Sequence, residues 1–333
     1  MDNPIYTAYL VSGDAKYNLS SALVSISMTD QKNQFSQSAR IELANIRVGT
    51  SYLTDIINVR DRVFIYANDG TRYDEVFRGF VWTKGDGASL TENSIELKCY
   101  DQLIYFQESE DSHYFAPGSS THNVFVTICR DIWGVPLKYN YESITHSKLA
   151  LRGTLADILT SDVLDIVKDR TNKDYVILSS KDYMEVRGLG SNSTVYSIVA
   201  GNNAVRSKRE ITMDGMVTKV IILGKGDDEG RVPQESSYKL NTSKYGILQK
   251  IYDRDENTPR HLGFLEAANI VNSGHKPFTE YEVECPDIPW IRKGDKVYVN
   301  AGVIKGKTLI AFDVDRTITN DQKKMSLTLK EAR

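Results

Sequence analysis

The sequence offers little from which to build a disulfide framework or a zinc site: Cys99, Cys129 and Cys285 lie far apart and no C-x-x-C pair occurs. An odd, scattered set of this kind suits the reduced thiols of a cytosolic product. Cys99 and Cys285 fall in the apolar phase of strand-like alternation (Ile95, Leu97, Cys99; Val283, Cys285), where a small hydrophobe belongs. Charge of one sign is also missing, since 41 Lys plus Arg face 44 Asp plus Glu, leaving −3 and a pI near 6.0. No field is available to hold a polyanion, so stable nucleic-acid binding is not expected. The basic run Arg206 to Arg209 is interrupted and followed by Glu210, and reads as a solvated loop. No apolar stretch approaches the roughly 20 residues of a membrane span, and MDNPIYTAYLV at the start has no basic region ahead of an apolar run. Neither a span nor a secretory signal is expected.

Catalytic signatures are equally scarce. There is no G-x-S-x-G elbow, which removes the familiar hydrolase nucleophile. The histidines, His113, His122, His146, His261 and His275, never stand at i, i+3 or i+4 from one another, so no helix presents a ready metal pair. Ala301-Gly-Val-Ile-Lys-Gly-Lys-Thr308 satisfies a relaxed phosphate-loop pattern. Such a loop needs a helix to begin at its Lys, and the alternating Thr308-Leu-Ile-Ala-Phe-Asp-Val314 that follows predicts a hairpin instead. Gly224-Lys-Gly226 runs into Asp227, Asp228 and Glu229, which would repel a pyrophosphate, and reads as a turn. The acidic groups Glu108 to Asp111, Asp227 to Glu229 and Asp253 to Glu256 lack the calcium-loop spacing and read as solvated loops. The expectation is a chain with no catalytic, metal or cofactor site, and not an enzyme.

What is present is an organisation in three parts, α+β and mainly β. Residues 1–110 carry short alternating runs (Ala39 to Ala44, Val63 to Ala67, Val76 to Trp82, Ile95 to Tyr100) broken by Asn68-Asp69-Gly70 and Gly85-Asp86-Gly87, the texture of an antiparallel barrel or sandwich. Residues 111–205 change period. Phe125, Ile128, Cys129 and Ile132 share a helix face that Gly134 and Pro136 terminate. A second helix opens at Thr154 with Leu155, Ile158, Leu159, Val163 and Ile166 on one face, and strands at Tyr175 to Leu178 and Tyr183 to Val186 complete an α/β insert. Residues 206–333 return to strands, interrupted by one helix with Thr258 as cap, Pro259 in its first turn, Phe264, Ala267, Ala268 and Val271 on one face, and Gly274 at its end.

The last part repeats the first. Arg60-Asp-Arg-Val-Phe-Ile-Tyr-Ala67 corresponds to Lys293-Gly-Asp-Lys-Val-Tyr-Val-Asn300 with one position of slip. Each copy follows an alternating strand (Ala39 to Ala44; Tyr281 to Cys285) and precedes a hairpin and another (Ile95 to Tyr100; Met325 to Leu329). The common order predicts a duplicated β-domain in which Val63-Phe64-Ile65 overlies Val297-Tyr298-Val299.

A β-domain, an α/β insert and a second β-domain resemble the baseplate hub family of contractile tails: late control D proteins, the hub of T-even phages, and above all the PBSX-prophage, XkdQ-like branch. The pieces that carry the resemblance are Tyr17-Asn-Leu-Ser20, Met213-Asp-Gly-Met-Val-Thr-Lys-Val220, Lys244-Tyr-Gly-Ile-Leu-Gln249, Lys293-Gly-Asp-Lys-Val-Tyr298 and Met325-Ser-Leu-Thr-Leu329. The resemblance implies two tail-tube-like barrels per chain and a homotrimer coaxial with the tail. Its barrels would form a pseudo-six-fold ring between a hexameric tail tube and a trimeric spike or spike adaptor, among other baseplate proteins. It further implies synthesis in a bacterial cytoplasm and residence in a virion tail or a phage-tail-like bacteriocin. The competing readings are a secreted or surface carbohydrate-binding adhesin, suggested by 19 Tyr, and a hydrolase using an acidic cluster.

One strand bears on that reading directly. Glu280, Glu282 and Glu284 alternate with Tyr281, Val283 and Cys285, which predicts three carboxylates in a row on an exposed face. On an ordinary outer surface this is a solvated strand; in a hub these glutamates would instead line the central channel, where an acidic wall would let DNA pass without sticking.

Overall fold

The computed structural model describes residues 4–88, 93–226, 231–254 and 258–331. The first lobe runs through β1 (Ile5–Ser12), β2 (Ala15–Asn18), β3 (Leu23–Gln31) and β4 (Ser38–Ala44), a small ladder of β5 (Arg47–Val48) and β6 (Ser51–Tyr52), then β7 (Arg62–Asn68), β8 (Tyr73–Ala88) and β9 (Asn93–Tyr100). The two-residue alternation does the work expected of it: Val63, Ile65 and Ala67 of β7 are buried, while Phe64 and Tyr66 between them are only partly covered.

The insert holds β10 (Glu110–Phe115), β11 (Leu137–Asn140), β12 (Leu149–Thr154), β13 (Tyr175–Ser180) and β14 (Tyr183–Gly188). Thr154 caps the helix that starts at Leu155, its hydroxyl accepting from Asp157 N at 3.2 Å. Leu155, Ile158, Leu159 and Val163 are buried as their spacing requires. The earlier helix departs from its pattern. It widens to i→i+5 hydrogen bonding over Val126–Ile132, so the phase that buries Phe125, Ile128 and Cys129 leaves Ile132 53% exposed.

The rest of the chain comprises β15 (Tyr196–Val199), β16 (Arg206–Thr212), β17 (Lys219–Leu223), β18 (Gln234–Lys239), β19 (Gln249–Asp253), β20 (Phe278–Pro286), β21 (Lys296–Ala301), β22 (Ile304–Thr319) and β23 (Lys323–Lys330). The helix Arg260–Gly274 covers β17 and β18. Pro259 rather than Thr258 stands at its cap, and its buried face is Gly263, Glu266, Ala267, Val271 and Gly274. Phe264 is exposed because Glu266, paired with Arg170 and Tyr252, turns that face toward the insert.

Two separate closed barrels do not form among the described residues. One 13-stranded sheet runs in the order β16-β20-β23-β22-β3-β4-β9-β8-β7-β1-β2, with β21 on β22 and β15 on β21. The reason is β3: it pairs with β4 of its own lobe and also with β22 of the other, so the first lobe's edge is spent on joining the second. Apolar residues still gather in separate cores, one within the first lobe, one in the insert, one in the second lobe and one under the helix Arg260–Gly274.

Within this sheet the order β21-β22-β23-β20 repeats β7-β8-β9-β4. The match needs no slip. Arg60 N donates to Val81 O and Gly294 N to Ala311 O; Asp61 and Asp295 each accept, at 2.8 Å, from the backbone N–H three residues earlier. Counting from these turns sets Val63-Phe64-Ile65 on Val297-Tyr298-Val299. Gly85-Asp86-Gly87, expected as a turn, instead extends β8, matching the 16-residue length of β22.

Candidate assembly surface

The loop Asp287–Asp295 binds the parts together, and its contacts are those of a rigid clasp. Arg316 Nε donates to Asp287 at 3.0 Å, and the Tyr6 hydroxyl of β1 donates to the same carboxylate. Trp290 Nε1 donates to Asp69 at 2.6 Å under the guanidinium of Arg72. Arg292 Nε reaches Asp30 of β3 at 2.7 Å, and Lys293 Nζ lies 3.5 Å from the same carboxylate and donates to Gln34 O. Toward the insert, Asp295 pairs with Arg187, and Gly294 O accepts from Gly190 N.

Asp30 and Lys293 are almost wholly enclosed. Burial alone would raise the Asp30 carboxyl, but Arg292 and Lys293 outweigh it and hold it down to about 2. Asp101 sits nearby without so close a cation. Burial pushes it up to about 7, even though it accepts from the backbone of Gln37 and Leu103. Burial lowers Lys293, and the two aspartates only partly oppose it. Sequence reading missed this cluster because each member is a lone charge in a loop or at a strand end. The one available signal was Asp30 in the apolar phase of β3, after Ile26 and Met28.

On β20, Tyr281, Val283 and Cys285 are buried and Glu280, Glu282 and Glu284 share the other face. They are not a bare acidic row. Lys330 stands 3.0 Å from Glu280, Lys208 3.1 Å from Glu282 and Arg206 3.3 Å from Glu284, each from a flanking strand. The basic run Arg206 to Arg209 thus lies in β16 beside these glutamates rather than in a loop. Further along the same face Ser326 and Thr328 of β23 stand beside Asp315 and Asp313 of β22, which face Thr29 and Gln31 of β3, while Thr317 lies between Lys324 and Ser27.

Ala301–Thr308 is the hairpin between β21 and β22. Among the described residues no group of three or more His, Cys, Asp or Glu could hold a metal, and no helix is long and apolar enough to cross a membrane. His146 is buried against the Thr121 hydroxyl at 2.9 Å, and burial lowers it to about 4. His113 and Trp133 both contact Asp111. Asp227, Asp228, Glu229, Asp255 and Glu256 lie outside the described residues. All three cysteines are buried and free.

A family model described as YQBQ-like matches residues 26–330. The chain belongs to the YQBQ-like family. No curated protein matches it. Among solved structures it is similar to a tail protein from Neisseria meningitidis MC58, with TM-score 0.72, 12% identity and coverage of 98% of this chain and 96% of that one. It is likewise similar to the 43 kDa tail protein of prophage MuSo2 from Shewanella oneidensis, with TM-score 0.70, 12% identity and 98% of both chains covered. The E. coli c3393 protein, a type VI secretion component with structural similarity to the T4 tail proteins gp27 and gp5, matches with TM-score 0.57 and 8% identity over 94% of this chain and 74% of that one. At such identities the likeness is one of fold, shared between phage tail and type VI secretion proteins.

Proposed function

We propose that this YQBQ-like chain is a structural, non-catalytic hub of a contractile-tail baseplate, on the PBSX-prophage branch of the hub proteins, in a phage tail or a tail-like bacteriocin. Three copies surround the tail axis, and their two repeated lobes give six similar units that meet a hexameric tube on one side and a trimeric spike or its adaptor on the other. The observation that carries the reading is the repeated strand order inside one sheet, which gives a single chain two near-equivalent units. The face bearing Glu280, Glu282 and Glu284 lines the channel in this reading. Its three glutamates are paired with Arg206, Lys208 and Lys330, and beside them lie hydroxyls and the carboxylates of Asp313 and Asp315, a surface with no excess of cations to hold a passing polyanion. Light scattering on the purified 37.5 kDa chain tests the proposal: a closed trimer is expected, and a monomer at every accessible concentration overturns it.

A further inference from the structure

We propose that two open edges of the large sheet, Thr83–Gly87 of β8 and Arg206–Thr212 of β16, pair with each other between copies of this chain, in the register that β22 and β3 adopt within it. The inference deepens the trimer reading and rests on it only for the number of copies.

The repeat makes the two joints equivalent. Through the ladders β4–β9 and β20–β23, Ala39 corresponds to Tyr281 and Cys99 to Leu329. One strand further out, Met28 lies opposite Ala39 and Arg209 opposite Tyr281, so β16 is the second lobe's copy of β3. On the other side, β8 and β22 carry matching bulges, between Val81 and Thr83 and between Ala311 and Asp313, so Thr83 to Gly87 copies Asp313 to Thr317. Inside the chain Asp313 to Thr319 pairs with Gln31 to Ser25. Among the described residues the corresponding edges have no partner strand: β7 leaves β8 at Phe80, and β16 is bonded to β20 alone.

Exposure differs between the two copies. Met28 is buried in the first-lobe core and Asp30 under Arg292 and Lys293, whereas their counterparts Arg209 and Ile211 are exposed, Ile211 at 61%. An open strand edge carrying an exposed isoleucine is a template for another strand. Transferring the internal register places Lys84 opposite Ile211, Gly85 opposite Glu210, Asp86 opposite Arg209 and Gly87 opposite Lys208. The Lys84 stem then covers Ile211. Asp86 against Arg209 is an opposite-charge cross-strand pair. Arg209 makes no ion pair among the described residues, and Asp86, which accepts from Thr54 and lies 3.6 Å from Lys84, keeps lone pairs for another donor. Because the two edges differ, the contact is head to tail and generates a ring when the rotation closes.

The full chain carrying Asp86→Cys and Arg209→Cys tests the register, the native cysteines being buried. Mild oxidation is expected to give disulfide-linked oligomers from the double variant, none from either single variant, and none from Gly85→Cys with Arg209→Cys, whose side chains leave opposite faces. Asp86→Arg is expected to shift assembly to higher protein concentration, and Arg209→Asp added to it to restore assembly. Trimers in light scattering without linkage or charge rescue overturn the edge pairing and spare the trimer. Linked rings of another number support the pairing and overturn the trimer. A chain that stays monomeric by both measurements overturns both.

Discussion

Arg60 and Gly294 occupy the same place in the two lobes: both have positive φ, 72° and 82°, and both donate a backbone N–H to the facing strand, at Val81 and Ala311. Left-handed backbone is costly for a side chain with a Cβ and nearly free for glycine. The surroundings differ, since a Cβ on Gly294 would stand 2.6 Å from Val176 Cγ1 of the insert. Arg60→Gly is therefore expected to leave stability unchanged or raise it by about 0.5 kcal/mol. Gly294→Ala is expected to lower it by about 2 kcal/mol or more. Thermal denaturation checks both, and equal losses at the two sites would show that the turns are not equivalent.

This pair also marks how far the sequence could be read. Alternation in β7, β9, β20 and β23 announced the strands, and their order announced the repeat, because exposed and buried faces impose a period of two. The one-position slip arose because charged residues were matched by type, while the structure matches positive φ, which a sequence displays only when glycine fills the position. Gly85-Asp86-Gly87 had the composition of a turn, and pairing with β9 overrode it. The joining of the lobes through β3 and the clasp at Asp287–Asp295 were not legible. They rest largely on contacts between residues far apart in the chain, such as Asp30 with Arg292 and Asp69 with Trp290, and no local pattern records them.

Asp30 is expected to be the most costly single charge to remove. Asp30→Asn leaves Arg292 and the enclosed Lys293 without their counter-charge, a loss of about 3–5 kcal/mol at neutral pH. The Asp30 carboxyl is depressed to about 2 in the folded chain, so its contribution is fully present above its ordinary value of 3.8 and is lost as pH falls toward 2. Urea unfolding at pH 7 and pH 3 should show the wild-type advantage narrowing; a constant difference would refute the assignment.

Asp101 carries the opposite sign. Its folded value, raised to about 7, means that its contribution is fully present below 3.8 and is lost as pH rises through 7. Asp101→Asn cannot accept equally well from both Gln37 N and Leu103 N, and should be less stable than wild type at pH 5 by about 1–3 kcal/mol. The gap should shrink or reverse at pH 8, where the wild type must hold a buried carboxylate. Melting temperatures of both proteins at the two pH values decide it, and a gap that widens with pH contradicts the burial argument.

The glutamates of β20 allow the channel reading to be tested apart from stability. Replacing Glu280, Glu282 and Glu284 together by lysine sets like charges against Lys330, Lys208 and Arg206. Each pair is exposed and screened by solvent, so the fold should survive with a lowered melting temperature. A face without an excess of cations becomes strongly cationic. If it lines the channel, assembled variant rings should retain DNA in a way that weakens steeply as salt is raised, because each phosphate contact releases condensed counterions. Wild-type rings should retain none. DNA bound equally by unassembled variant chains would assign the effect to surface charge alone, and unaltered DNA behaviour in assembled rings would move these glutamates away from the lumen.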